Sequence, residues 1–206
     1  MYEDRTAAGK LLADHLAEEG VEADLVVAIP RGGLPLGRAV ADRLDAPLDV
    51  VVAQKMGAPG NPELAIGAAA SDGSAWLNDD IIERLGVDEG YVDQAREREA
   101  ENARKKLEDY RGAAEPPDFA SKRVVVVDDG VATGATMRAC VRQVVSAGAD
   151  RVVVAVPVGP PDSLDELRQE ADAVYALDEP GAFGAVGQYY RDFGQVTDDQ
   201  AIEYLE

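Results

Sequence analysis

The chain has 206 residues, with 40 acidic against 20 basic side chains and a formal charge of −20. Such a charge repels nucleic acid and anionic membrane over most of the surface, and no local basic patch stands out to offset it. A lone cysteine, Cys140, excludes a disulfide framework within the chain, a lone histidine, His15, excludes a histidine metal cluster, and no apolar run approaches the roughly twenty residues that cross a bilayer. The opening MYEDRTAAGK lacks a basic segment leading into an apolar one, so the expectation is a cytoplasmic protein with one domain over 1–206. The basic residues include only the lysines Lys10, Lys55, Lys105, Lys106 and Lys122. Abundant Asp and Glu with few lysines suits high intracellular salt, where screening relieves self-repulsion.

Residues 4–19 carry Ala8, Leu11, Leu12 and Leu16 at helical spacing, with His15 at the edge of that stripe as a boundary residue. A rhythm of strand and helix follows. DLVVAIP (24–30) reads as a buried strand, GLPLGRAVADRL (33–44) as a helix and LDVVVAQK (48–55) as the next strand. AIGAAA and SAWLN flank Asp72-Gly73, so 65–78 reads as a β-hairpin. A long charged helix spans 88–109 and stops at Gly112 and Pro116-Pro117.

The second half repeats the alternation. SKRVVVVDD (121–129) is a strand whose four valines suit a sheet covered on both faces. The helix 133–148 places Met137, Cys140, Val141, Val144 and Val145 on one side, which makes Cys140 a core residue rather than a nucleophile. Strands at 151–158 and 172–178 enclose a helix at 162–171, and Thr197 with Gln200 forms a capping-box pattern for a last helix. The expected fold class is α/β, a mostly parallel sheet with helices on both faces.

Ligands of such sheets bind at the carboxyl ends of the strands. The segment VVVVDDGVATGATM (124–137) delivers two acids, Asp128 and Asp129, into a loop of small and hydroxyl residues: Gly130, Val131, Ala132, Thr133, Gly134, Ala135 and Thr136. Loop N–H groups at a helix start attract a phosphate, and Thr133 and Thr136 add hydroxyl donors. Two carboxylates beside a phosphate need a different partner, such as a sugar diol or a nearby Mg²⁺. The loop lacks the lysine of a Walker A motif, and the chain lacks a Gly-x-Gly-x-x-Gly after its first strand, so an ordinary NTPase or dinucleotide site is excluded.

This segment resembles the phosphoribosyl pyrophosphate signature of type I phosphoribosyltransferases: hydrophobic strand, two acids, two variable positions, then A-T-G-x-T. The resemblance extends over 1–206 and is nearest a sparsely characterised branch carrying N-P-E-L-A-I-G-A, here Asn61 to Ala68. It implies that Asp128 and Asp129 hold the ribose hydroxyls, with a weaker role toward Mg²⁺, and that Gly130 to Thr136 hold the 5′-phosphate. It makes Pro30-Arg31-Gly32-Gly33 the pyrophosphate loop, with Arg31 and Lys55 acting on the leaving pyrophosphate and a strained non-proline peptide bond near Arg31-Gly32. Lys55 itself is an isolated lysine in a lysine-poor chain, expected at the end of the second strand and facing the same crevice, where it reads as a pyrophosphate ligand or as a plain surface lysine. The resemblance further implies a flexible hairpin over about 56–80, a hood over about 178–206 and a homodimer.

The implied reaction is Mg²⁺-dependent transfer of the phosphoribosyl group to a nitrogen acceptor, a nucleobase or a similar molecule. The alternative is a regulator that senses phosphoribosyl pyrophosphate without transferring it. In the 6-oxopurine enzymes an aspartate precedes the T-G pair; here Ala132 stands there, which counts against hypoxanthine or guanine. Phe183, Tyr189, Tyr190 and Phe193 are equally readable as a stacking surface for a base and as core, and Trp76 as an anchor for the hairpin or as core.

Overall fold

The computed structural model describes residues 1–206. Asp4 caps the first helix, α1 (Arg5–Glu18), by accepting from the Ala7 N–H at 2.7 Å. The chain then runs β1 (Leu25–Ala28), α2 (Gly33–Leu44), β2 (Leu48–Val50), β3 (Ala53–Ala58), β4 (Asn61–Ala70), β5 (Ala75–Leu77), α3 (Asp79–Leu85) and α4 (Glu89–Arg111). It continues through β6 (Arg123–Val127), α5 (Ala135–Ser146), β7 (Arg151–Val158), α6 (Pro161–Leu167), β8 (Ala173–Asp178), a 3₁₀ turn at Val186–Tyr189 and α7 (Asp198–Glu203).

Five strands form one parallel sheet in the order β2-β1-β6-β7-β8, registered through pairs such as Val26 with Leu48, Val26 with Val125 and Val125 with Val153. The valine runs explain why both faces are covered. Successive side chains point to opposite faces, so Val124, Val126, Val152 and Val154 pack with Met137, Cys140 and Val144 of α5 and with Leu164 of α6. Val125, Val127, Val153 and Ala155 pack on the other side with Leu12 and Leu16 of α1 and Leu36 and Val40 of α2. Cys140 is fully buried, as its place on the helical stripe required.

The strand expected over 48–55 is two strands in two sheets. β2 ends at Val50, and β3 pairs antiparallel with β4, which pairs antiparallel with β5. Two hydrogen bonds bridge the handover: the Val51 N–H donates to Ala28 O at 3.1 Å, and Val52 O accepts from Ser71 N–H at 3.1 Å. An uninterrupted apolar run carries no mark of such a break. The hairpin expected at 65–78 is the β4–β5 pair, turning through Asp72 and Gly73, and a second hairpin with an exposed tip at Pro59–Gly60 precedes it. Gln143 Nε2 donates to Ser71 Oγ at 3.0 Å and ties this small sheet to α5. The last helix begins at Thr197 with both hydrogen bonds of its capping box in place.

Candidate functional site

In the main sheet β1 is followed by β2 on one side, whereas β6 leads to β7 and β8 on the other. The crevice at the carboxyl ends of β1 and β6 is therefore the switch point at which open parallel sheets bind ligands. The loop after β1 carries Arg31, Gly32 and Gly33, and the loop after β6 carries Asp128 through Gly134. The two loops touch. A Cβ on Gly32 would lie 2.1 Å from Asp129 Oδ2, and one on Gly33 would lie 2.8 Å from Val127 O. Glycine is required at both positions by close approach.

The loop after β6 presents a row of free donors. The Val131 N–H is used by Val158 O at 2.9 Å, and the Arg138 N–H by Gly134 O at 2.8 Å. Between them the N–H groups of Ala132 through Met137 donate to no group of the protein. Gly134 caps α5 at φ +77°, a left-handed conformation natural to glycine, and Ser163 Oγ fixes the loop by donating to Ala132 O at 2.7 Å. In the facing loop the N–H groups of Arg31 and Gly32 are likewise unused. Two patches of free N–H donors, the kind of arrangement that suits an anion, thus flank one pair of carboxylates. The cis bond in this loop lies at Pro30–Arg31, one bond before the expected Arg31-Gly32 position; the motif located the turn but not the bond within it.

The carboxylates are not equivalent. Asp128 Oδ1 accepts from the Asp129 N–H at 2.8 Å, and burial, reinforced by the Asp129 charge, pushes its pKa well above the usual carboxylate range. Asp129 pairs with Arg5 Nε at 2.7 Å, with both side chains largely buried. Burial still raises the Asp129 pKa, opposed by that guanidinium. Arg5 in turn lies over the Phe193 ring, 3.8 Å from its centre, and Tyr190 donates to Asp129 O at 2.6 Å. Arg5 gave no sequence signal, because only tertiary contact brings α1 to this loop.

As a metal site, the acidic pair has too few ligands to hold Mg²⁺ alone, and one of its members is engaged by Arg5. The donor set fits the usual mode for this ion, in which one or two carboxylates join substrate phosphates and water.

Other expected residues divide between two cavities. Lys55 is not at the end of a main-sheet strand as expected: the chain leaves that sheet after Val50, so Lys55 sits within β3 of the small sheet, pairs with Glu63 at 3.5 Å, and lines a cavity of 970 Å³ together with Trp76 and Thr133. Trp76 is 8% exposed and carries the Arg138 guanidinium 4.6 Å above its ring, so it packs the small sheet against α5. Arg31 lines a separate cavity of 460 Å³ with Lys106, Tyr110 and Asp198. Lys106 escaped the sequence reading although a signal existed. It is three residues after Ala103 and four before Tyr110, both buried on the inner face of α4.

The aromatic residues near the C-terminal end also separate. Tyr190 is buried beside Tyr2, with ring centres 5.5 Å apart, while Phe183 and Tyr189 stack at 5.4 Å and 15° and remain half-exposed. The core reading therefore holds for Tyr190, and Phe193 serves Arg5.

Comparison with known proteins gives the family. A family model described as a phosphoribosyl transferase domain matches residues 2–193. The provisionally named phosphoribosyl transferase Rv0571c of Mycobacterium tuberculosis is 40% identical over 206 residues, covering 100% of this chain and 46% of that protein. The chain thus spans about half the length of the curated relatives it matches over its whole length. The crystal structure of TT1426 from Thermus thermophilus is 43% identical, covers 100% of this chain and 97% of that one, and superposes with a TM-score of 0.83. The chain belongs to the phosphoribosyl transferase domain family.

Proposed function

We propose that this protein binds phosphoribosyl pyrophosphate across the β1–β6 crevice and transfers its phosphoribosyl group to a nitrogen acceptor, releasing pyrophosphate. The observation that carries the reading is the row of free N–H groups from Ala132 to Met137, set beside Asp128 and facing the free N–H groups of Arg31 and Gly32. A 5′-phosphate on the first patch and a diphosphate on the second put the ribose between them, against the carboxylates. Ionised Asp128 then accepts from the ribose hydroxyls, which supply the hydrogen bonds its buried charge lacks. Asp129 acts mainly by positioning, since Arg5 already occupies it.

The transfer breaks the bond from the anomeric carbon to pyrophosphate and forms one to nitrogen, through an oxocarbenium-like transition state. The protein contributes alignment, and Arg31 stabilises the charge gathering on the departing group. Asp128 would meet a Mg²⁺ brought with the substrate, and the ion would supply neutralisation of part of that charge. Lys55 reaches the site as the exposed Pro59–Gly60 hairpin tip folds over the substrate and excludes water. The stacked Phe183–Tyr189 pair offers a platform for a flat acceptor such as a nucleobase. Ala132 leaves the 6-oxopurine class disfavoured.

The test is Mg²⁺-dependent pyrophosphate release from phosphoribosyl pyrophosphate, measured in high KCl against nucleobases and small nitrogen compounds. Release with one acceptor supports the transferase. Binding without release across the panel supports a sensor of the same ligand, and folded protein that does not bind it refutes both.

A further inference from the structure

Helix α4 carries two adjacent lysines that do different things. Lys105 is exposed and reaches only Glu101 of its own helix, at 4.0 Å. Lys106, about 100° further round the helix, turns toward the body of the protein and is partly buried. It shares a face with Tyr110, four residues on, and lines the 460 Å³ cavity with Arg31 and with Asp198 and Ile202 of α7.

No carboxylate forms an ion pair with Lys106. Burial and the Arg31 charge hold its ammonium below the ordinary lysine range, opposed by Asp198 and Asp128. An amine held partly out of water beside another cation is unfavourable unless an anion arrives to use it. The neighbouring contacts show where such an anion fits. Asp198 lies 3.6 Å from Arg31 and accepts from the Tyr110 hydroxyl at 2.8 Å, so an internal carboxylate already sits against the guanidinium of the pyrophosphate loop.

We propose that Lys106 is a pyrophosphate-binding residue, acting with Arg31 in the cavity they share, and that the Asp198 carboxylate is the internal anion which pyrophosphate displaces from Arg31. The proposal rests on the phosphoribosyl pyrophosphate reading of the crevice. It gives the short α7 a role in the site: the helix supplies a weak competitor that keeps Arg31 in place between turnovers. A pyrophosphate bearing several charges outcompetes a single exposed carboxylate for two cations.

Calorimetric titration with two probes, inorganic pyrophosphate with Mg²⁺ and ribose 5-phosphate, tests the idea on the full chain. Lys106→Ala is expected to weaken pyrophosphate binding about tenfold or more, the worth of one charge-assisted contact, while ribose 5-phosphate affinity stays within about twofold because its phosphate uses the Ala132–Met137 loop. Lys106→Arg should restore most of the loss. Asp198→Asn keeps an acceptor for Tyr110 but removes the charge, and should tighten pyrophosphate binding several-fold. Equal pyrophosphate affinity in Lys106→Ala and wild type overturns the proposal, as does a parallel loss of both probes, which marks a structural role. Unchanged affinity in Asp198→Asn overturns the displaced-anion half. Wild-type protein that binds neither probe refutes the underlying reading instead.

Discussion

Gly32→Ala isolates the meeting of the two loops. Gly32 has φ −61° and ψ −33°, helical values open to any residue, so alanine adds no backbone strain. Its whole effect comes from a methyl group placed 2.1 Å from Asp129 Oδ2 and 2.7 Å from the carboxyl carbon. Because a carbon–oxygen contact needs about 3.3 Å, the loops must part by about 1.2 Å. Asp129 cannot yield freely, since Arg5 Nε holds it at 2.7 Å. Giving up that charge-assisted bond removes about 2 kcal/mol, or about 4–8 °C in Tm for a domain of this size. Misplacing the pyrophosphate loop by about 1 Å should lower kcat/KM about a hundredfold. Thermal unfolding and pyrophosphate release measure the two effects. In an Arg5→Gln background the carboxylate is free to rotate, so the added loss of stability should shrink, giving a non-additive cycle. Wild-type Tm and kcat/KM in Gly32→Ala would refute the close-contact argument.

Three further outcomes follow from the same geometry. Asp128→Asn should abolish phosphoribosyl pyrophosphate binding yet raise the Tm of ligand-free protein near neutral pH. The sign comes from the raised folded pKa: the native state holds the Asp128 proton longer than the unfolded chain, so wild-type stability falls as pH rises from about 4 through that value, and the Tm gap should close at acid pH. Replacing Phe183 and Tyr189 by alanine should raise KM for the acceptor about tenfold, taking an aromatic contact plus lost burial as about 1.4 kcal/mol, with KM for phosphoribosyl pyrophosphate unchanged; the reverse split would move the acceptor elsewhere. With a net charge of −20, the protein should unfold at a higher temperature in molar KCl than in dilute buffer, and equal Tm in both would dismiss the salt-adaptation reading.

The sequence made the main sheet readable because β1, β6 and β7 are rich in valine and its helices carry stripes. Alternate valines of β6 and β7 do serve opposite faces. The acidic pair and the run of free N–H groups to Thr136 were legible for a local reason: such a run is built from consecutive backbone groups, so it lies along the chain. Contacts made by distant elements were not legible. Arg5 reaches Asp129 from 124 residues away, and Asp198 reaches Arg31 through a helix whose capping box was plain but whose docking was not. The break between β2 and β3 was invisible because both sides of it are apolar. Helix α3 was missed despite visible marks, with Asn78 as N-cap, Asp79 and Asp80 in the first turn and Gly86 as C-cap. Its lack of any buried residue weakened the apolar pattern that would have drawn attention to it.

In the proposed complex the loop after β6 takes the 5′-phosphate and the loop after β1 takes the pyrophosphate. Backbone amide NMR shifts of ¹⁵N-labelled protein read both loops at once during titration with ribose 5-phosphate and then with Mg²⁺-pyrophosphate. Large shifts are expected for the Ala132–Met137 amides on adding ribose 5-phosphate, with Arg31 and Gly32 following only when pyrophosphate is added. Saturation by either ligand that leaves its assigned amides unmoved while others shift would contradict this placement.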